Sequence, residues 1–322
     1  MMKKGLYTFI KLILIIHSLV GYSQNLDIYR LTTYASNNGN EFGFVSLTDG
    51  FPFSEHPDSL VIANEHLGNL DLDVVDDNLH ELDSANRKRF LSRLNIKESD
   101  KLFLYHLIKD TIYTLKVSDL ALVAHLTPYE PQLPIPDYDY YIGLKIKENQ
   151  LSMEEVFDYG NNFVAIGQSC PFQTGELEPI IWKKMVTENF PLFHKVKNLP
   201  SDLDGFQVQD IYEYNLGSLT YYMMNYANKN NAEIRHLIVV DSLTNQLVYN
   251  KLFLVEGDHD LTPLATSFSE DKSAYQYQWT GKLFKNKSSI IYNVVEPWFG
   301  CKRIYFVDEE ELPIRISCDN RH

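Results

Sequence analysis

The clearest alternation of apolar and polar positions lies near the end of the chain. Side chains in a strand point alternately to opposite faces. Across Ala274 to Leu283 this puts Tyr277 and Trp279 on one face and Gln276, Gln278, Thr280 and Lys282 on the other. A turn centred on Lys285 and Asn286 returns the chain along Ser288 to Val295. Trp279 then lies opposite Tyr292, and Tyr277 opposite Val294. Aromatic and β-branched partners across a ladder contribute a few tenths to about 1 kcal/mol each. The expectation is a hairpin with its aromatic face in the core and its glutamine face in water.

A second hairpin follows, with Arg303 to Val307 and Leu312 to Ser317 flanking the acidic turn Asp308 to Glu311. Pairing Val307 with Leu312 sets Tyr305 opposite Ile314, Arg303 opposite Ile316 and Cys301 opposite Cys318. Opposed Cβ atoms are about 4.5–5.5 Å apart, within reach of a disulfide. Pro313 has no N–H for a ladder, so the last strand is expected at a sheet edge.

Earlier in the chain, Leu26 to Tyr34 and Phe42 to Leu47 are expected strands around a turn at Ser36 to Asn40, and Leu60 to Ala63 is a further short apolar run. Ser84 to Leu94 has helical spacing, with Asp83 as N-cap and Phe90, Leu91 and Leu94 on one stripe. Leu102 to Leu107 and Thr111 to Val117 form a hairpin through Lys109 and Asp110. A short helix is expected over Asp119 to His125. Pro128, Pro131, Pro134 and Pro136 exclude helix and ladder alike. Beyond them, Tyr140 to Lys147 and Phe163 to Gln168 are expected strands. Ser152 to Glu155 has the spacing of a capping box and opens a helix to about Tyr159. Glu178 and Pro179 open another, carrying Ile180, Ile181, Met185 and Val186. From Phe206 onward, strands at 206–214, 219–226, 234–241 and 246–253 are joined by short polar turns, so neighbours run antiparallel. The fold class read from this pattern is α+β: predominantly antiparallel β in the second half, as a sheet or sandwich, with a few short helices. Residues 24–127 form an N-terminal α+β region and 137–322 an antiparallel β-rich region, connected by 128–136. The two also fit as one domain.

Met1 to Ser23 changes where this fold is expected to work. Lys3 and Lys4 precede an apolar run from Leu12 to Val20, and Gly21 to Ser23 supply small residues for cleavage. The run is shorter than the roughly 20 residues of a transmembrane helix, so no stable membrane span is expected once the leader is removed. The stretch resembles the leaders of exported bacterial proteins with a Ser–Gln junction, here Ser23 and Gln24, and the resemblance covers these residues alone. It implies a secreted or periplasmic protein, a compartment that permits disulfides. With three cysteines, pairing Cys301 to Cys318 leaves Cys170 over, although spacing by itself does not settle connectivity.

The net charge is −14, and removing Lys3, Lys4 and Lys11 with the leader makes it more negative. Such a surface repels nucleic acid, which is therefore excluded as a partner. The one basic cluster, Arg87, Lys88, Arg89 and Arg93, is expected to be a solvated helix face.

Candidate chemistry is sparse. Asp71, Asp73, Asp76 and Asp77 offer oxygen ligands for a cation but lack the Gly and distal Glu of a helix–loop–helix calcium site; surface acidity is the preferred reading. Glu256, Asp258, His259 and Asp260 gather carboxylates around an imidazole, the composition of a metal or proton-transfer site and also of an Asp-capped turn. Gly167 to Phe172 resembles the nucleophile segment of papain-like peptidases, with Pro171 where those have Trp after the Cys; the resemblance implies a nucleophilic role for Cys170. Asp137 to Tyr141 reads as a stacking platform or as strand-entry packing, and Asn286 to Ser288 is a glycosylation sequon on an exposed turn. No phosphate-cradling Gly loop, Gly-x-Ser-x-Gly, His-Glu-x-x-His or Cys-x-x-Cys occurs, so no cofactor is implied. The expectation is an exported binding or interaction module for a protein or glycan partner. The alternative is a secreted hydrolase using Cys170 or a carboxylate pair.

Overall fold

The structure is a computed structural model that describes residues 26–35, 41–48, 79–126, 140–152, 162–186, 205–228, 233–254, 259–267, 277–297 and 300–318. The leader expected at 1–23, the runs at 60–63 and 70–77, the proline stretch at 128–136 and the helix expected at 152–159 lie outside these, apart from Ser152.

In chain order the first half contributes β1 (Ile28–Tyr29), β2 (Leu31–Ala35), β3 (Glu41–Ser46), β4 (Leu79–Glu81), α1 (Ser84–Arg93), β5 (Lys101–His106), β6 (Thr111–Lys116), β7 (Ala121–Leu126), β8 (Tyr140–Lys147) and β9 (Asn162–Gly167). The second half adds β10 (Leu177–Pro179), β11 (Lys183–Met185), β12 (Gln207–Leu216), β13 (Leu219–Ala227), β14 (Glu233–Asp241), β15 (Gln246–Leu254) and β16 (His259–Leu261). It closes with β17 (Trp279–Gly281), β18 (Ile290–Tyr292), β19 (Val295–Pro297), β20 (Arg303–Phe306) and β21 (Ile314–Ser317). Among the described residues α1 is the one α-helix, so the molecule is mostly β, and α+β with several helices overstates its helical part.

A nine-stranded sheet in the order β10-β17-β18-β20-β21-β1-β9-β5-β6 draws strands from both halves of the chain. It is curled. Phe163 on β9 and Tyr292 on β18 have ring centroids 5.0 Å apart, although four strand steps separate them, about 19 Å on a flat sheet. The concave side holds Ile28, Phe103, Tyr105, Phe163, Trp279, Tyr292 and Phe306. The convex side meets two further sheets. Leu102, Leu104 and Val164 pack with Val45, Leu122, Leu144 and Ile146 of the sheet β2-β3-β8-β7-β4, and α1 adds Phe90 and Leu91. Ile291, Val294 and Val307 pack with Tyr221, Leu237 and Val239 of the sheet β11-β12-β13-β14-β15.

Local chemistry explains several elements directly. The Asp83 carboxylate accepts from Asn86 N at 2.8 Å and caps α1, satisfying one of the N–H groups left open at a helix start. Asp110 (φ 47°) and Asn245 (φ 60°) hold left-handed turn positions, which these residues adopt more readily than most. At Gly143 an added Cβ would lie 2.3 Å from the Val45 carbonyl oxygen and 2.7 Å from the Phe44 ring.

Two expected helices are strands instead. Residues 178–186 follow a period of two: Ile180 and Trp182 are buried while Ile181 points out. The segment ends β10 and starts β11, crossing from the curled sheet to its neighbour. Pro179 sits on β10, an end strand of the sheet, where a missing N–H is tolerated. Residues 121–126 form β7, paired on both sides with β4 and β8. Ladder bonding and two-sided burial outweigh the local helical spacing; only 117–119 forms a single 3₁₀ turn.

The closing hairpins carry the other corrections. Trp279 does pair with Tyr292, but on the face expected in water Gln278 and Thr280 are buried, both at 0 % exposure, and Lys282 stays exposed. In the second hairpin Arg303 faces Arg315 and Ile304 faces Ile314, one residue off the expected register. β21 is not an edge: it pairs with β20 on one side and runs parallel to β1 on the other. Pro313 escapes conflict by lying just before the strand.

Candidate functional site

The seam between the curled sheet and the β11–β15 sheet holds a buried polar network. β17 enters it because a second sheet packs on the convex face, over side chains that alternation alone assigns to solvent. The Gln278 amide accepts from Trp182 Nε1 at 2.9 Å and donates to the carbonyls of Pro263 (3.0 Å) and Asn293 (3.2 Å). The Thr280 hydroxyl donates to the Ile290 carbonyl at 2.7 Å and is hydrogen-bonded to the Tyr221 hydroxyl at 2.9 Å. Burial pushes the Tyr221 phenol up to about 12, against the bond from Thr280. Arg235 on β14 is 5 % exposed and donates to the Thr262 carbonyl and to Asn225 Oδ1. Burial draws its guanidinium down to about 10. Side-chain pairs and backbone carbonyls thus take up the Gln278, Thr280 and Arg235 donors, as buried polar groups require, and the Trp182–Gln278 and Thr280–Tyr221 bonds link elements on the two sides of the seam. Nothing in the sequence pattern signals this network, because its members are single polar residues inside strands.

Elsewhere, the C-terminal turn of α1 borders an open cleft of about 360 Å³. Leu91 and Ile96 line it together with Ser92, Asn95, Lys88 and Lys97. Its one acid, Glu98, is held by Arg87, whose Nε and Nη2 donate to the two carboxylate oxygens at 2.7 Å each. The bonds from Arg87 hold the Glu98 carboxyl below its ordinary value, outweighing partial burial. Arg87 also donates to the carbonyls of Val117 (2.8 Å) and Leu120 (2.7 Å). It is thus a tie between α1 and the chain leading to β7, while Lys88, Arg89 and Arg93 of the same cluster are exposed.

The expected site residues do not converge. Cys170 is a free, half-buried thiol beside the concave core. Its Sγ donates to the Phe172 carbonyl at 3.7 Å, and no histidine is hydrogen-bonded to it among the described residues. Asp71, Asp73, Asp76, Asp77, Glu256 and Asp258 lie outside the described residues. His259 and Asp260 fall in β16, opposite Pro297 and Glu296, rather than in a turn. Among the described residues no three His, Cys, Asp or Glu side chains come together as metal ligands. Cys301 and Cys318 are bonded, with Cα atoms 5.6 Å apart. Tyr141, from the expected stacking platform, is buried with Phe42, Phe44 and Val123. Beside this cluster, burial and the Lys145 charge draw the His125 imidazole down to about 4.

Among the described residues no helix is long and apolar enough to cross a membrane. Compared with protein-family models, with curated proteins and with solved structures, the chain matches none.

Proposed function

We propose that this is an exported binding or interaction module of bacterial type, acting on a protein or glycan partner in the periplasm or medium without chemistry of its own. The observation that carries the reading is the setting of Cys170. The thiol leans on aromatic core and donates to a backbone carbonyl, whereas nucleophilic catalysis needs a base within hydrogen-bond reach. The open cleft beside α1 contributes one acid, already bound by Arg87, so no carboxylate pair faces across it. The Cys301–Cys318 bond fits an oxidising compartment.

The competing reading, a secreted hydrolase using Cys170 or a carboxylate pair, has one observation in its favour: Cys170 is outside any disulfide and half-buried, with Lys285 Nζ 3.1 Å from its carbonyl oxygen. One experiment separates the two. The chain is recovered from periplasm or medium, its N-terminus is read by mass spectrometry, and partners are captured by crosslinking while peptide and glycan panels are assayed for turnover. Binding should be retained and turnover absent in both the wild type and Cys170→Ser. Turnover that Cys170→Ser abolishes would overturn the proposal, as would an intact leader on material held in the cytosol.

A further inference from the structure

The sheet β2-β3-β8-β7-β4 carries a cluster of rings on the face turned away from the curled sheet. The His125 ring of β7 lies 4.4 Å from that of Tyr34 on β2, and 5.6 Å and 6.5 Å from those of Phe44 and Phe42 on β3. Tyr34 in turn stacks on Phe42 at 5.7 Å. Three strand steps separate β7 from β2, about 14 Å on a flat sheet. The rings therefore meet only because the sheet curls and its side chains lean inward. Phe44 leans over β8 at Gly143, where an added Cβ would lie 2.7 Å from its ring. His125 is thus the side chain through which β7 reaches β2, the strand at the end of the sheet.

A positive charge is badly placed on this imidazole. Its Nδ1 is buried and has no hydrogen-bond partner among the described residues. The neutral ring can carry its proton on Nε2 and leave Nδ1 bare, whereas the imidazolium must carry a proton on both nitrogens. That second N–H would be buried with nothing to accept it. The surrounding groups do not offset the charge. From β8 come Tyr141, directly opposite His125, Lys147, opposite Phe42, and Lys145. Lys145 Nζ already occupies the face of the Phe42 ring at 4.6 Å, and its charge reaches the imidazole. From β2 comes the Tyr34 phenol. From β4 comes Glu81, which is exposed and stands opposite Val123 rather than His125.

We propose that His125 is an acid-sensitive latch: neutral, it closes this sheet by packing on Tyr34 and Phe44, and charged, it releases the β2–β3 hairpin. The unfolded chain takes up the proton near the ordinary histidine value of about 6.5, whereas the closed sheet holds the imidazole down to about 4. Closure is thus fully supported above the ordinary value and weakens as pH falls from there toward the depressed one. The latch stands apart from the reading above, since it neither needs export nor names a partner.

The test follows the full chain, with its histidines labelled with carbon-13, by NMR from pH 8 to pH 3.5. The His125 signal is identified by its loss in His125→Phe, which keeps a ring in the cluster without a titrating group. It should titrate at least about one unit below an ordinary histidine, and Lys145→Gln should move it back toward that value. Hydrogen exchange in β2 and β3, corrected for the intrinsic effect of pH, should speed roughly tenfold or more between pH 7 and pH 4.5 relative to β13 and β14. In His125→Phe that acid-induced difference should disappear. Should His125→Phe not fold, the signal is identified as the one that Lys145→Gln moves, and Lys145→Gln should open less at pH 4.5 than the wild type. The proposal fails if His125 titrates at the ordinary value, if Lys145→Gln moves no histidine signal, if β2 and β3 stay protected at pH 4.5, or if His125→Phe opens in acid as the wild type does.

Discussion

The two closing hairpins look alike in sequence and are held in different ways. In the first, strands β17 and β18 are buried on both faces: Trp279 and Tyr292 fill the concave core, while Gln278 and Thr280 make hydrogen bonds within the seam. In the second, Ile304, Phe306 and Ile316 are buried while Arg303 and Arg315 remain exposed, and a disulfide closes the open end. Packing covers both faces of the first hairpin, whereas the second combines one packed face with a covalent bond. Their turns are also clasped together. Glu311 takes Lys287 Nζ at 2.8 Å and Ser288 N at 3.1 Å, and the Ser288 hydroxyl donates to Asp308 at 3.1 Å. The difference shows that alternation along a strand reports its two faces but not how many of them will be covered.

The largest effect that would break this contrast is expected at Gly281, the end of β17. It has φ +119°, and an added Cβ would lie 1.9 Å from the Glu176 carbonyl oxygen. Gly281→Ala should therefore force β10 away from β17 and lower unfolding stability by about 4 kcal/mol or more, read by denaturant titration. A loss under about 1 kcal/mol would show that β10 is loosely held. Gln278→Leu comes next. It leaves the Trp182 indole N–H and two carbonyls without their partner, and should cost about 3 kcal/mol although it adds apolar surface. A neutral outcome would mean that water replaces the amide.

The second hairpin should answer to a different lever. Replacing Cys301 and Cys318 together by Ser opens a link across 17 residues, for a loss of about 3 kcal/mol in the chain-entropy account. The same reductant that destabilises the wild type should leave this double variant unmoved. The smallest effect belongs to the clasp between the turns. Partial burial works against the Glu311 carboxylate, but Lys287 and Ser288 together hold its carboxyl below the ordinary value. Its contribution is thus present above the usual carboxylate range and is lost as pH falls through the depressed value. Glu311→Gln should lower stability by less than about 1 kcal/mol at neutral pH and flatten that part of the acid limb of a stability–pH curve.

Much of the local structure was legible in the residues. Asp83, Phe90 and Leu91 announce α1 because a cap and an apolar stripe act within the helix itself. Lys109 and Asp110 mark the β5–β6 turn, and Leu219 to Tyr226 and Ile234 to Asp241 mark β13 and β14, because turn chemistry and runs of β-branched and aromatic side chains are local signals. Ile180 to Val186 misled because apolar residues at short spacing serve helix and strand equally, and the choice fell to Trp182 reaching Gln278 across the seam. The disulfide was found through a register that was one residue wrong. Cys301 and Cys318 lie just beyond the last ladder pairs, where the chain ends remain close in either register.

The candidate site was far less legible than the fold. Cys170 drew notice for its chemistry, and its aromatic surroundings depend on Tyr105 and Phe284, far off in sequence, whose rings meet that of its near neighbour Phe172. Thr280 and Tyr221 carry no motif and meet only where the β11–β15 sheet packs on the curled one. What the residue order determined here was set by neighbours a few positions apart: the α1 cap, the turns, the alternation of strands, and which cysteines lie near enough to bond. The tertiary structure decided which strands became central, which polar side chains were buried, and which charges were made to share a face. Those outcomes depend on contacts between residues far apart in sequence, whose free energy of burial and pairing exceeds any local preference.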